Sequence, residues 1–297
     1  MSKDRFLRAC LSLEGLSIGD AFGQQFFMPH VASSARPGQL PPAPWGYTDD
    51  TEMAIALTQT LRECETVDQD VLARHFAERH EAEPYRGYGA GARQLLTGIS
   101  SGGSWQELSR EMFGGGGSYG NGAAMRVAPL GAWFADDVQK TIEQAALSAE
   151  VTHAHREASI GAIAVALAAG WAFRWEDEPA EELIPWVISH LEACEVRRRL
   201  EIAAKFPLDM WPFNVASQVG YGLEISSQDT VPYCLWMAAA FMDDYEEAMW
   251  NAARVGGDID TTCAIIGGIV ALRVGPEGIP AEWKNYREPL AWSGART

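Results

Sequence analysis

Cysteine pairs are missing from this sequence: Cys10, Cys64, Cys194, Cys234 and Cys263 are scattered, with no CxxC spacing. An odd, dispersed set with mostly apolar neighbours excludes a disulfide framework or a cysteine zinc site. It reads as buried thiols in a reducing compartment. Positive charge is scarce too, with 23 Lys plus Arg against 40 Asp plus Glu and a formal net charge of −17. Such a surface repels polyanions, which excludes a general nucleic-acid binder. A locally positive pocket, above all one holding metal ions, can still take a small anionic ligand. No apolar signal core follows the N-terminal Met-Ser-Lys-Asp-Arg. The most apolar stretch, 158–173, falls short of the ~20 residues a membrane span needs. The expectation is a soluble cytoplasmic protein that engages no membrane. Alternation with a period of two is nowhere sustained, so strands are not expected.

Apolar residues are plentiful, at 47% against 21% charged, enough for a sizeable core. Their spacing is helical almost everywhere. A helix is predicted from Asp4 to Ile18, with Gly19 as its stop, followed by a proline-rich loop in which Pro29 to Pro44 forbid regular helix. Further helices are predicted at 51–64, 68–80, 137–151, 156–173, 180–205, 231–242, 244–254 and 261–274. Ser104 to Glu107 read as a capping box opening a short helix. The 160–173 run, apolar on most faces, should cross the middle of the core. The acidic segment 176–182 reads as a solvated helix start. With no linker and no repeat, the expected architecture is all-α, one compact multi-helix domain spanning residues 1–297.

Two segments carry chemistry: Thr48-Asp49-Asp50-Thr51 and Gly256-Gly257-Asp258-Ile259-Asp260-Thr261, each just before an apolar helix. Helix capping accounts for either one alone, since Asp and Thr are favoured caps and anions suit a helix N-terminus. Each nevertheless offers more oxygen ligands than a cap uses. Four aspartates that converged would repel one another unless a cation lay between them. Hard oxygen ligands without Cys or His pairs suit Mg²⁺, Mn²⁺ or Ca²⁺. The glycine-rich stretch at 114–122 either is a flexible surface loop or presents backbone N–H groups to phosphates. Arg86 to Gly91 form a second glycine-rich loop that could border the same cleft. Arg126, among apolar neighbours, reads as a buried structural charge paired with an acid.

Taken in order, five stretches resemble the ADP-ribosylglycohydrolase family, whose members include the dinitrogenase reductase-activating glycohydrolases. Gly19-Asp20-Ala21-Phe22-Gly23 looks like its GDA-x-G turn, and Thr48 to Thr51 look like its TDDT motif. Gly117 to Arg126 are similar to its SxGNGAAMR loop, and Thr152-His153 to its TH motif. Asn251 with Gly256 to Thr261 resembles its late N-x(4)-GGDxDT motif.

The resemblance implies an all-helical fold with a two-magnesium centre, Mn²⁺ being an alternative, in a cleft for ADP-ribose or an ADP-ribosylated target. By family pattern Thr48, Asp49, Asp50, Asp258, Asp260 and Thr261 ligate metal, with Asp260 bridging and Ile259 turned away. Asp49, Asp50, Asp258 and Asp260 are thereby the catalytic carboxylates. Asp20 becomes a candidate for a ribose hydroxyl, and Ser118, Tyr119, Gly120, Asn121 and His153 for the diphosphate or distal ribose. The implied reaction is hydrolysis at the anomeric carbon through an oxocarbenium-like transition state, with metals orienting the sugar and a water.

One departure stands out. Many relatives carry a glutamate shortly after the GDA-x-G turn, where this chain has Gln24-Gln25-Phe26-Phe27-Met28. Glutamine cannot accept a proton as a base, so the general base is unassigned at Gln24 or Phe27. An alternative from another class is therefore a catalytically silent ADP-ribose-binding or immunity-type regulator. The complete carboxylate motifs weigh against it. An isoprenoid-type synthase is a third reading, but Asp49-Asp50-Thr51-Glu52 lacks the further aspartate such sites use.

Overall fold

The computed structural model describes residues 2–175 and 177–292; Glu176, in the acidic segment noted above, lies outside them. Eight helices frame the site: α1 (Ser2–Gln24), α2 (Asp49–Cys64), α3 (Gln69–Ala82), α4 (Val138–Glu150), α5 (Arg156–Arg174), α6 (Ser227–Ala240), α7 (Tyr245–Val255) and α8 (Ile259–Gly278). Among the described residues there is no strand, only three isolated bridges. The all-α expectation holds.

α5 runs through the core as its apolar sequence requires, with every residue from Ile160 to Ala172 buried. α5 and α8 are each long and apolar enough to pass a membrane-span criterion, further than the sequence reading allowed. Even so, 72% of either apolar window is buried inside the protein, as in core helices.

α1 does not stop at Gly19. It continues to Gln24 because Gly15, Gly19 and Gly23 form one face that lies backbone to backbone against α8. A Cβ on Gly19 would overlap the carbonyl oxygen of Cys263, and one on Gly23 would come within 2.6 Å of that of Ile259. From the other side, a Cβ on Gly267 would come within 2.6 Å of the Gly15 carbonyl. Each helical glycine costs about 1 kcal/mol in propensity; close helix packing offsets it here, so a local stop signal is overridden.

Two other expectations need correction. The predicted helix over 180–205 is broken into Ala180–Glu182, Leu183–Ser189 and Glu195–Ala203. Its interruption is fixed by Glu157 of α5, whose carboxylate accepts the Glu195 and Val196 amides at 2.8 and 2.9 Å. Within the proline-rich loop, Pro29–Ser34 is a short helix with proline at its first turn, where a missing N–H is harmless.

The rest of that loop is pinned by aromatic packing and by the C-terminal segment. Phe22 stacks on Trp283 at 4.5 Å, and Trp45 meets both edge-on or tilted. The Glu288 amide donates to the Trp45 carbonyl, and a Glu288 carboxylate oxygen accepts from the Tyr47 amide and from Arg86. The chain thus enters α2 from a fixed direction, with Thr48 as its N-cap.

Candidate active site

A cavity of about 450 Å³ opens where the N-termini of α2 and α8 meet. Asp49 and Asp50 line it from one helix, Asp258, Asp260 and Thr261 from the other. Asp20, Asp50 and Asp260 each bring a carboxylate oxygen within 4.8 Å of the others. The two acidic segments therefore converge, brought together by the glycine-faced contact of α1 with α8. Two larger grooves, about 750 and 1220 Å³, touch neither segment.

Asp20 is fully buried beneath the cavity and does not line it. Its Oδ2 accepts from the Thr48 amide (2.9 Å), the Thr51 amide (3.1 Å) and Thr51 Oγ1 (2.5 Å). The structure thus places it under the α2 N-terminus as an anchor whose oxygens are engaged by Thr48 and Thr51. Thr48 Oγ1 lies 2.8 Å from Asp20 Oδ1 and 2.9 Å from Asp50 Oδ2. A hydroxyl has one hydrogen, so the two carboxylates compete for it.

Capping explains part of the first segment and little of the second. Thr48 accepts the Asp50 amide, loosely, at 3.4 Å, whereas Asp258 makes no side-chain cap bond at α8. Asp258 instead accepts from Asn121 Nδ2 at 2.7 Å. Asp50 Oδ1 is buried without any hydrogen-bond partner. Ile259, in the variable slot of its motif, packs into the apolar core.

Electrostatics bear out the crowding. Burial, followed by the neighbouring carboxylates, pushes Asp49 up to about 7 and raises Asp50 and Asp260 well above the usual carboxylate range. Burial raises Asp20 to about 6 against the pull of its Thr48 and Thr51 donors. Asp258 is raised by burial as well, moderated by Asn121. Such mutual repulsion is relieved by protons or by a cation. An all-oxygen donor set with one orphaned buried oxygen suits a hard divalent ion.

The glycine loop forms a second wall. Ser118, Tyr119, Gly120, Asn121 and His153 all line the cavity. The loop is held by pairing with residues 225–227: Asn121 N to Ile225 O, Ser227 N to Tyr119 O, and Ser227 Oγ to Gly120 O. Gly87, Gly89 and Gly91 of the other glycine-rich stretch border the same space. Asn251, by contrast, is turned into α7, donating to the Glu247 carbonyl, and does not line the cavity.

Several wall residues escaped the sequence reading. Phe113 and Ile225 are exposed on the rim, both with positive φ (53° and 51°), a conformation L side chains rarely adopt. Glu224 is an exposed carboxylate in the same wall; the turn glycines Gly220 and Gly222 nearby were the available signal. Gln24, Gln25 and Phe27 do not line the cavity; Gln25 is buried and bonded to the Ala21 carbonyl. Arg126 is fully buried but, among the described residues, pairs with no acid, contrary to expectation. Its partners are the Ser148 carbonyl, Thr152 Oγ1 and the Phe76 ring face, and burial pushes it down to about 9.

A helical frame presses two carboxylate segments together beneath glycine-rich walls, an arrangement shared by the family to which the sequence is matched. Residues 1–293 match the ADP-ribosylglycohydrolase family, and the chain belongs to it. It is 30% identical to human ADP-ribosylhydrolase ARH3 over 334 residues, covering 97% of this chain and 90% of the relative. The mouse protein of that name is 30% identical over 331 residues, covering 95% and 87%. A solved structure titled ADP-ribosylglycohydrolase-related protein complex superposes with a TM-score of 0.68 at 25% identity, covering 96% of this chain and 94% of the other.

Proposed function

We propose that the protein hydrolyses the glycosidic bond joining ADP-ribose to a modified protein side chain or small molecule, with divalent cations as cofactors. The observation that carries this reading is the meeting of Asp20, Asp50 and Asp260 at the base of a cavity walled by the Ser118–Gly122 loop. On this reading Asp49, Asp50, Asp258, Asp260 and Thr261, with Thr48 beneath them, hold two Mg²⁺, or Mn²⁺. Cations bound there would orient ribose hydroxyls and polarise a water.

The chain's own groups take the remaining tasks. The exposed ring of Tyr119 offers a flat apolar surface to an aromatic base, while Ser118 and Gly120 bring backbone to the diphosphate. As water attacks the anomeric carbon, the bonding pair leaves with the target, which takes up a proton as it departs. Glu224 is the cavity carboxylate outside the crowded cluster, and we assign it the water's proton. Five unpaired cysteines support a reducing, cytoplasmic setting.

The deciding experiment offers arginine-, serine- and nucleobase-linked ADP-ribose substrates with Mg²⁺, with Mn²⁺ and with chelator. Release of ADP-ribose from at least one, only with metal, is expected. The silent-regulator reading is favoured by Gln24 and Phe27 standing where many relatives carry a glutamate; the intact carboxylate motifs weigh against it. Tight binding of ADP-ribose without turnover of any substrate would establish it.

A further inference from the structure

Arg126 Nη2 donates to the Ser148 carbonyl and to Thr152 Oγ1, both at 2.9 Å, and Thr152 Oγ1 stands 2.7 Å from His153 Nδ1. A guanidinium only donates, and a hydroxyl owns a single hydrogen. Because Arg126 donates to it, Thr152 Oγ1 keeps that hydrogen for an acceptor, and the acceptor in contact is His153 Nδ1. The opposite polarity, Nδ1–H donating to Oγ1, strands the hydroxyl hydrogen of a residue only 4% exposed, which is strongly unfavourable in a protein interior. Burial and the Arg126 charge also hold the imidazole neutral, pushing it down to about 3.

We infer that Arg126 and Thr152 are positioning residues that lock His153 with its proton on Nε2, so that the cavity wall presents one aimed N–H donor beside the glycine loop. The Nε2 edge lies against Gly120 and Gly122; an added Cβ there would come within 3.3 and 3.0 Å of it. Those two glycines thus make room for the imidazole as well as for ligand. Among the described residues lining the cavity there is no Lys or Arg, and Asn121 Nδ2 is already engaged by Thr230 and Asp258. His153 Nε2–H is therefore the side-chain N–H left for a ligand, and it suits an acceptor oxygen without a hydrogen, such as a phosphate oxygen. The ligand's identity rests on the function proposed above; the tautomer does not.

Long-range ¹H–¹⁵N correlation spectra of the whole chain, labelled at histidine, read the tautomer directly, with His153→Asn identifying the resonance. The wild type should show the Nε2–H pattern. Thr152→Val, which keeps the side chain's shape, should lose it, and Thr152→Ser should restore it. Calorimetry with ADP-ribose in the presence of Mg²⁺ should show about tenfold weaker binding for Thr152→Val, equivalent to ~1.4 kcal/mol, with Thr152→Ser close to wild type. An Nδ1–H pattern in the wild type, or a Thr152→Val protein unchanged in both tautomer and affinity, would overturn the inference. Should the wild type fail to bind ADP-ribose at all, the proposed function falls and the spectra alone decide the tautomer.

Discussion

Asp20 and Asp260 come from near opposite ends of the chain, yet their carboxylates share one cluster because Gly19 lets α1 lie directly on the backbone of α8. Gly19→Ala inserts a methyl against the Cys263 carbonyl. Overpacking of this kind costs typically 1–3 kcal/mol or more. Urea unfolding should register that loss, and Mn²⁺ affinity measured by calorimetry should fall with it, since the helices must part. Wild-type stability in the variant would show that the contact is not what joins the two halves.

The crowded carboxylates predict a pH-dependent response to cations. Asp20 and Asp49 titrate near about 6 and about 7 in the fold, against roughly 3.9 in an unfolded chain. The folded state therefore holds extra protons in that interval. The stability they contribute is complete below about pH 4 and is lost as pH rises through 6 and 7. A divalent ion replaces those protons, and an ion at a hundred times its dissociation constant contributes ~2.7 kcal/mol. The difference in Tm between excess Mg²⁺ and chelator should thus be larger at about pH 8 than at about pH 5.5. Equal differences at both would place the ion elsewhere.

Asp258→Ala and Asp260→Ala should each reduce ADP-ribose release to background while leaving the helical circular-dichroism spectrum intact. Removing one of several mutually repelling acids relieves strain rather than creating it, so chelator-treated variants should melt no lower than wild type. Activity surviving both changes would remove these residues from the chemistry.

Glu224→Gln is expected to lower kcat by about 10²–10⁴, the usual contribution of a positioned proton acceptor, with KM near the wild-type value. The glutamine keeps the shape and loses the basicity. An unchanged kcat would return the proton to one of the clustered aspartates.

Much of this was readable in advance because it is local. Periodicity located the long helices within a few residues, and the motifs around Asp50 and Asp258 marked the two acidic segments that line the cavity. What escaped depends on partners distant in sequence. Gly19 looks like a stop until α8 lies against it, and the helix over 180–205 looks continuous until Glu157 caps its second half. Asp20 reads as a candidate for a ribose hydroxyl until Thr48 and Thr51 donate to it, and Arg126 invites an acid partner that packing replaces with a hydroxyl, a carbonyl and a ring. Glu224 carries no motif at all; only the folding of its turn onto the glycine loop puts it in the wall.

The division of the centre between α2 and α8 has a bearing on biosynthesis. A nascent chain exposes Thr48 to Asp50 long before residues 256–262 have been made, and until α8 docks on α1 the Asp20 and Asp50 carboxylates lack the third member of their cluster, Asp260. On the proposed function, competence for chemistry would arrive in a single late event, and an incompletely made copy would be inert rather than partly active.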